Sequence, residues 1–591
     1  MNYAWNLDDI YPSWEAWEQD FQKMKRNMEI IPSYQGKIHN SRENFVELTK
    51  LEENLSRLVD KLYLYPYLKK DLNSKDEIAS MKLQEMESIF TDFGVKTAWT
   101  VPETLMIPEN TMKQWILEDD FLKDYAFPLQ ETYRLQKHVL SEEKEQLLSY
   151  FSQYLGAPDD IYSELSISDM EWKTVTLSNG WKGPVTNGMY SKILSTNRNQ
   201  EDRRLAFEAL YEAYQKNKNT YGAIYRALLQ RGVASSRARN YSSTLEKALE
   251  GKNIPKEVFL SLLNSALKNT APLQRYIKLR KKVLGLQEYH YYDNSISLLE
   301  YDKEFPYEEA KQLVIDSVLP LGKDYQEKLK TALSDGWLDV MEKENKRSGA
   351  YSINIYDVHP YMLLNYQGTL DDVFTLAHEL GHTMHSMLST EHQPFATHSY
   401  TIFVAEVAST FNERLLLDSM LEKTKDPKER IVLLEQALGN IMGTYYIQTL
   451  FANYEYQAHQ LVERGEAVTP DILSGIMETL FQQYFGDTLV LDDLQKIIWS
   501  RIPHFYNSPY YVYQYATSFA ASANLYTQVK KDPSSVSKYL TLLQSGGNDY
   551  PMEQLKKAGA DLSKVESFDA IAEEFNRLLD LLEKELERYQ A

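Results

Sequence analysis

Two histidines four residues apart, with a glutamate beside the first, form the part of this sequence whose chemistry is easiest to read. They are His378 and His382, and the glutamate is Glu379. On a helix this spacing places both imidazoles on one face, one turn apart, where they can bind a single Zn²⁺. Glu379 would then face the open position of the metal and could take a proton from water during peptide-bond hydrolysis. The motif therefore predicts a zinc hydrolase.

The residues around this motif indicate a helix. Thr369 and Asp372 have the three-residue spacing of a capping box, so we expect a helix to begin near residue 370. His385 would share the face of the two motif histidines. The alternative is that the histidines are core residues with satisfied hydrogen bonds, next to a solvated glutamate. A core-facing stripe is expected from the apolar residues at helical spacing, which are Val373, Leu376, Ala377, Leu380 and Met384.

A zinc site with two histidines needs a third protein ligand. The pattern that supplies a third histidine in the same segment fails, because the required residues do not follow His382. A second helix, predicted over residues 401–421, carries Glu406 within an apolar run, where an unpaired carboxylate would be costly to bury. We therefore expect it to bind a divalent cation, with Ser409 and Glu413 on the same face to orient the ligands. The alternative is that Glu406 pairs with an arginine or lysine.

These motifs resemble a known family. Residues 378–385 (HELGHTMH), followed by residues 403–409 (FVAEVAS) and Glu413, are similar to oligoendopeptidase F, a bacterial branch of the thimet oligopeptidase superfamily. The resemblance extends over nearly the whole chain. It also includes residues 6–12 (NLDDIYP), 204–211 (RLAFEALY) and 347–351 (RSGAY).

The resemblance implies a fold, an activity and a set of site residues. It implies a mostly α, multi-helical metallopeptidase that cleaves oligopeptides internally, inside a deep substrate channel. It also implies that His378, His382 and Glu406 hold one zinc ion per chain and that Glu379 is the catalytic base.

Donors for the oxyanion that forms during hydrolysis are expected in residues 501–515, which contain one histidine and five tyrosines. In the superfamily that the sequence resembles, a histidine followed by a Gly-Gly-Tyr loop supplies these donors. Here the two glycines are replaced, but the Tyr-x-x-Gln-Tyr spacing survives at 511–515. The resemblance therefore aligns His504 and Tyr511 with the catalytic pair. Tyr513 and Tyr515 are the alternatives, and packing is the other role open to all of them.

The strand signals cluster before the zinc helix. Residues 349–356 and 360–366 predict two short strands, and residues 172–177 predict another. The first pair would form a small β-sheet beside the zinc helix and could present an edge to an extended peptide. Alternatively, these strands only support the helix. We expect an N-terminal helical region at 1–110, a helical region with short strands at 111–190 and a catalytic domain at 191–591.

Composition limits the possible partners. The 591 residues are 43% hydrophobic and include only 23 Gly and 20 Pro, which favours a large core and long helices. A formal charge of −21 makes nucleic acid and anionic membranes poor partners. The absence of cysteine excludes disulfides, a cysteine nucleophile and a thiolate zinc site.

The location and the partners are expected from the same sequence. The N-terminus has neither a basic segment nor an apolar one, and no run approaches the roughly 18 apolar residues of a membrane span. We therefore expect a cytoplasmic protein whose partners are oligopeptide substrates, without nucleic acid or membrane. The sequence does not determine the oligomeric state.

Two other functions stay open. A zinc exopeptidase could use the same three ligands, but it would also need fixed charges to bind a substrate terminus. A Gly-x-Met-Glu-Asn aminopeptidase signature is absent from the sequence. A non-catalytic helical protein that binds peptides is the alternative of a different class, and the intact Glu379 disfavours it.

Overall fold

The computed structural model describes residues 3–590, so the ends of the predicted first and third regions, at residues 1 and 591, lie outside the described residues. The chain divides into two compact units, each built from three segments. Unit 1 comprises Met1–Tyr154, Lys303–Ser419 and Leu525–Ala560, and unit 2 comprises Leu155–Asp302, Met420–Asn524 and Asp561–Ala591. The predicted region boundaries at 110 and 190 stay a prediction.

The protein is mostly helical, as predicted, with 71% of the structure in helices. In chain order the first α-helices are α1 (Trp14–Ile30), α2 (Arg42–Leu72), α3 (Glu77–Lys96), α4 (Thr100–Thr104), α5 (Glu109–Glu118), α6 (Asp120–Asp124), α7 (Ala126–Arg134), α8 (Glu142–Ser149) and α9 (Ser152–Ser163). They are followed by α10 (Asn187–Thr196), α11 (Gln200–Lys216), α12 (Lys218–Ala238), α13 (Thr244–Glu250), α14 (Lys256–Lys268), α15 (Ala271–Val283), α16 (Tyr307–Ser317), α17 (Lys323–Ala332) and α18 (Leu370–His392). The last are α19 (Ile402–Lys423), α20 (Pro427–Ile441), α21 (Gln448–Glu463), α22 (Pro470–Phe485), α23 (His504–Asn507), α24 (Tyr513–Lys531), α25 (Val536–Gln544), α26 (Pro551–Ala558) and α27 (Glu566–Gln590).

Short helical turns of other types complete the list. The 3₁₀ turns are Leu7–Asp9, Ile31–Tyr34, Gln136–His138, Tyr291–Asp293, Leu319–Leu321, Phe395–Thr397, Gln495–Arg501 and Pro533–Ser535, and the π-helical turns are Glu164–Ser168 and Met442–Ile447. Among residues 3–590, no helix combines the length and the apolar character needed to cross a bilayer.

Two small sheets accompany the helices. In unit 2, β1 (Thr174–Thr176) pairs antiparallel with β2 (Lys182–Pro184). In unit 1 the strand order is β3–β5–β4, so that β4 (Tyr351–Ile353) lies at an edge. β4 runs antiparallel to β5 (Tyr361–Tyr366), and β3 (Leu338–Met341) runs parallel to it. The predicted strands within 172–177, 349–356 and 360–366 are thus confirmed. β2 and β3 were not predicted, because neither stretch is rich in β-branched or aromatic residues.

The sheet of unit 1 is held by the N-terminal part of the chain. The indole of Trp5 donates to the carbonyl of Met362 in β5 at 2.8 Å, and Trp5 lies in the same apolar cluster as Tyr361 and Leu363. Because this cluster also contains buried residues of α1 and α2, the N-terminal helices support the strands beside the zinc-motif helix.

Unit 2 contains two buried ion pairs. Arg203 pairs with Asp293 at 2.6 Å, and Arg280 pairs with Glu435 at 2.6 Å. The C-terminal helix is α27, which packs along α20. A buried charge without a partner would be costly, so these pairs favour an arrangement of the helices in which both partners stay in contact.

Candidate active site

Helix α18 carries the zinc motif and begins where the sequence predicts. The hydroxyl of Thr369 accepts the Asp372 N–H at 3.2 Å, and the Asp372 carboxylate accepts the Thr369 N–H at 2.9 Å. This reciprocal pair is the predicted capping box, and it satisfies two backbone donors at the start of the helix. The predicted core-facing stripe is confirmed, because its residues are all buried: Val373, Leu376, Ala377, Leu380 and Met384.

Helices α18 and α19 approach each other closely at Gly381. A Cβ atom at this position would lie 2.5 Å from the Ala408 carbonyl oxygen and 2.5 Å from the Ser409 Cα. Only glycine therefore allows the two helices to come this near. The sequence analysis did not single out this residue, although a glycine inside an otherwise helical pattern signals close packing.

The close approach brings the three predicted ligands together. The Nε2 atoms of His378 and His382 lie 3.2 Å apart, and Oε2 of Glu406 lies 3.3 Å from the first and 3.4 Å from the second. Ligand atoms at about 2.0–2.1 Å from a tetrahedral zinc ion are about 3.3 Å from one another. The near-equilateral triangle of two imidazole nitrogens and one carboxylate oxygen therefore fits a zinc ion in both size and donor type.

Neighbouring side chains orient these ligands. Nδ1 of His378 donates to Oε1 of Glu413 at 2.6 Å, which leaves Nε2 of the imidazole directed at the triangle. The Ser409 hydroxyl donates to Oε2 of Glu406 at 2.8 Å. The two residues that the sequence places on the ligand face of α19 thus make the contacts expected of outer partners of a metal site.

The carboxylate of Glu406 is held in its charged form. Burial alone would raise its pKa, but the charges and hydrogen bonds of His382 and His378 lower the pKa well below its ordinary value. For His378, burial would lower the pKa, but hydrogen bonds to Glu406 and Glu413 raise the pKa well above its ordinary value. The group of three thus contains a firmly ionised carboxylate, as a metal ligand must be.

Glu379 lies beside this group but outside it. Its side chain is only 6% exposed, and its Oε2 has no hydrogen-bond partner among the described residues. Burial raises the pKa of the carboxyl, although the charges of His378 and His382 act in the opposite direction. A carboxylate with a raised pKa and an uncommitted oxygen is suited to accept and release a proton near neutral pH.

His385 is not part of the group of possible ligands. Its ring stacks on Tyr400 with a centroid separation of 3.5 Å and an interplanar angle of 4°. Burial lowers the pKa of His385 to about 3, so that the imidazole is neutral.

The edge strand β4 lies along α18. The Ser352 hydroxyl is 2.8 Å from the Thr383 hydroxyl, and the Asn354 side chain donates to Thr390 at 3.0 Å. Since Thr383 directly follows His382, β4 contacts α18 next to the turn that carries the ligands. This arrangement is compatible with both predicted roles of the strands, which are support for the helix and pairing with a peptide.

The predicted oxyanion donors form a second cluster, in unit 2. His504 is the first residue of α23, and its ring centroid lies 5.5 Å from that of Tyr511 and 5.9 Å from that of Tyr515. Tyr515 also approaches His504 Nε2 with its hydroxyl at 3.3 Å. Burial lowers the pKa of His504, which favours the neutral imidazole. The structure thus brings together His504, Tyr511 and Tyr515.

The other tyrosines of this segment are core residues. Tyr513 is buried and packs edge-on against Phe259 at 5.2 Å. Tyr506 is buried and stacks on Tyr162 at 3.8 Å. Of the two alternatives considered for the donor role, Tyr515 is therefore better placed than Tyr513.

A buried carboxyl beside this cluster gives the protein a testable pH dependence. Burial raises the pKa of Glu455 to about 8, against an ordinary value of 4.5, although a backbone hydrogen bond from Tyr510 opposes the shift. Between these two pH values the folded protein therefore holds a proton that the unfolded chain has lost. The resulting stabilisation is full below pH 4.5 and is lost as the pH rises through 8.

Glu455→Gln removes this titration. We expect the free energy of unfolding of the variant, relative to the wild type, to increase by up to about 1.4 kcal/mol per pH unit across this range. Urea denaturation at several pH values measures it, and parallel curves for the two proteins would contradict the expectation.

Comparison with known proteins places this chain in a family. Residues 193–574 match the model for "Peptidase family M3", and residues 103–172 match the model for "Oligopeptidase F". The oligopeptidase PepF of Bacillus subtilis is 36% identical over 98% of this chain and 87% of its own length. An oligoendopeptidase F homologue of Lactococcus lactis is 33% identical over 99% of this chain and 97% of its own. The crystal structure of oligoendopeptidase-F from Enterococcus faecium superposes with a TM-score of 0.79 at 28% identity, over 97% of this chain and 99% of that one. The chain therefore belongs to peptidase family M3, in its oligoendopeptidase F branch, and is a metallopeptidase.

Proposed function

We propose that this protein is a zinc-dependent endopeptidase that hydrolyses internal peptide bonds of oligopeptides. The observation that carries the proposal is the triangle of His378, His382 and Glu406, with edges of 3.2, 3.3 and 3.4 Å, next to the buried carboxylate of Glu379. Family membership supports the peptidase chemistry, and the names of the relatives support oligopeptides as substrates.

The metal would be held by Nε2 of His378, Nε2 of His382 and Oε2 of Glu406. Two imidazole nitrogens and one carboxylate oxygen are a ligand set that zinc peptidases use, and they would leave a fourth position open. When bound, zinc supplies a Lewis acid that polarises the scissile carbonyl and makes water easier to deprotonate.

Glu379 transfers the proton in this mechanism. Its Oε2, which has no hydrogen-bond partner among the described residues, accepts a proton from the attacking water. The water oxygen then forms a bond to the carbonyl carbon. Glu379 passes the same proton to the peptide nitrogen, the C–N bond breaks, and the amine leaves as the second product. The burial that raises the pKa of Glu379 makes both transfers possible near neutral pH.

His504 and Tyr511 are proposed as the donors to the oxyanion. The support is the resemblance of the Tyr-x-x-Gln-Tyr spacing at 511–515 to the pattern of the family, together with the observation that Tyr511 and Tyr515 are the tyrosines of the segment whose rings lie beside His504. Hydrogen bonds that form only as charge develops on the carbonyl oxygen lower the barrier without tightening substrate binding.

Peptide backbone recognition by β4 is the proposed mode of substrate binding. β4 is an edge strand, and a hydrogen bond between Ser352 and Thr383 joins it to α18 directly after the second ligand. Pairing with the main chain of a peptide implies weak selectivity for side chains. The deep substrate channel and the cytoplasmic location stay predictions.

The first experiment measures the metal. The purified protein is expected to contain about one zinc ion per chain, because a single three-ligand group is present among the described residues. Chelation should abolish hydrolysis of a fluorogenic peptide, and added Zn²⁺ should restore it. Metal analysis that finds no zinc in active protein would contradict the choice of metal while leaving the ligand group in place.

The second experiment measures where the substrate is cut. If the enzyme is an endopeptidase that recognises the main chain, peptides with acetylated N-termini and amidated C-termini should be cleaved at nearly the rate of the free peptides. Mass spectrometry of the products from a mixture of peptides of several lengths identifies the cut positions. Loss of single terminal residues from free peptides only, with blocked peptides intact, would favour the exopeptidase. Binding without any cleavage would favour the non-catalytic alternative.

A further inference from the structure

Tyr510 has a backbone conformation that is unusual for its residue type. Its φ angle is +57°, in the left-handed region. The other non-glycine residues with positive φ in the described part of the chain are asparagines, Asn240, Asn253 and Asn345. Asparagine tolerates this region because its short polar side chain can make local hydrogen bonds, whereas the Cβ of tyrosine makes it costly. Since residues 504–515 contain no glycine, the segment turns through a strained residue directly before Tyr511.

The strained residue is held on several sides. Oε1 of Glu455, a side chain of α21 that is 1% exposed, accepts the Tyr510 N–H at 2.6 Å. The phenol hydroxyl of Tyr510 lies 2.9 Å from the Thr244 hydroxyl, and its ring stacks on His459 at 4.7 Å. Gln514 donates to the Tyr510 carbonyl at 3.4 Å. The surroundings thus over-determine a conformation that the residue would not adopt by itself.

The contacts that hold Tyr510 also affect the position of Tyr511. The Tyr511 N–H donates to the Ser508 carbonyl at 3.1 Å, and its own carbonyl accepts the Gln514 N–H at 3.0 Å. Tyr510 is buried, whereas the Tyr511 ring is half-buried and lies beside His504. A change of φ at Tyr510 would rotate the peptide that leads into Tyr511 and move its phenol. The buried residue is therefore placed to set the position of the accessible one.

We propose that Glu455 and Tyr510 are positioning residues, which fix the loop so that Tyr511 presents its hydroxyl in one orientation. Neither residue needs to touch the substrate for this role. The inference rests on the proposed donor function of Tyr511 for its catalytic consequence, but the positioning itself is a structural property that can be measured separately.

The test compares two replacements of Glu455. Gln keeps an oxygen that can accept the Tyr510 N–H, so Glu455→Gln should retain kcat within about 2-fold. Met has a similar size but no such acceptor, so Glu455→Met should lower kcat about 10-fold or more with little change in KM. The matched control is Glu103→Met in α4, because Glu103 is also a buried glutamate that accepts backbone N–H groups, from Gly36 at 2.6 Å and Ile38 at 2.9 Å. This control should lose stability but not kcat.

A double-mutant comparison separates positioning from general damage. If Glu455 acts through Tyr511, adding Glu455→Met to Tyr511→Phe should lower kcat by less than about 2-fold further. Effects that multiply would overturn the proposal, as would an equal loss of kcat in Glu103→Met. If Glu455→Met does not fold, Tyr510→Phe replaces it in the same comparison. Tyr510→Phe removes only the hydroxyl contact with Thr244, and a loss of about 3-fold is expected.

A readout without turnover distinguishes this inference from the proposed function. With meta-fluorotyrosine at position 511, fluorine NMR should show one sharp signal in the wild type and in Glu455→Gln, and a broadened or split signal in Glu455→Met. An unchanged spectrum in Glu455→Met would overturn the positioning role even if Tyr511→Phe lowers kcat. A changed spectrum together with a normal kcat in Tyr511→Phe would support positioning and contradict the donor function of Tyr511.

Discussion

Glu379→Gln is expected to lower kcat by about 10³-fold or more while the protein keeps its zinc. The amide has nearly the same shape as the carboxylate but cannot accept a proton from water. Because Oε2 of Glu379 has no hydrogen-bond partner among the described residues, the replacement breaks no hydrogen bond of the fold at that atom. Steady-state kinetics and metal analysis on the same preparation measure both quantities.

Glu406→Ala should differ from Glu379→Gln in its metal content, because it removes one corner of the ligand triangle. This variant is expected to lose the metal, and its activity with it. Glu391→Gln is a suitable control, since Glu391 is an exposed glutamate of α18, the helix that carries His378 and His382, and pairs with Lys328. Full zinc occupancy in Glu406→Ala would refute the ligand assignment, and near-normal turnover in Glu379→Gln would refute the general base.

Tyr511→Phe is expected to lower kcat about 10²-fold with little change in KM. The reason is that the hydrogen bond to the oxyanion forms only as charge develops. Its removal therefore raises the energy of the transition state and leaves the ground state unchanged. Zinc content and the thermal unfolding temperature should not change. His504→Ala should behave similarly, with a pH profile of its own, because an imidazole can titrate near neutrality.

Parallel tyrosine variants test the alignment of this segment. Tyr513→Phe should retain activity, because Tyr513 is buried against Phe259. Tyr515→Phe is the informative variant, since the Tyr515 hydroxyl is 3.3 Å from His504 Nε2. If Tyr515→Phe is severely impaired and Tyr511→Phe is nearly normal, Tyr515 is the donor. The zinc mechanism would be unaffected by that result.

Helix α18 shows what local patterns predict reliably. Its start depends on two side chains three residues apart, Thr369 and Asp372, and its buried stripe depends on helical periodicity alone. Both signals lie within a short stretch of chain, so they can be read without the fold. The same is true of Glu406, because a carboxylate inside an apolar run of one helix requires a partner wherever that helix packs.

Contacts between distant segments could not be predicted in this way. The strand β3 pairs with β5 more than twenty residues later, and its four residues show no alternation of buried and exposed positions. The organisation of each unit from three separate segments leaves no local trace either. Such features depend on which surfaces meet, and composition carries little information about that.

The sequence by itself determined the chemistry of the possible metal site: two imidazoles one turn apart, a neighbouring carboxylate and a second carboxylate on another helix. Only the tertiary structure decided how these parts meet. The near-equilateral triangle exists because Gly381 lacks a side chain where α18 crosses α19, and a Cβ there would lie 2.5 Å from the Ala408 carbonyl oxygen. In the same way, the left-handed backbone of Tyr510 is held by Glu455, a residue 55 positions earlier. Residue types and short spacings specify which groups can react, whereas distances between groups far apart in the chain arise from packing and hydrogen bonds that form only in the folded protein.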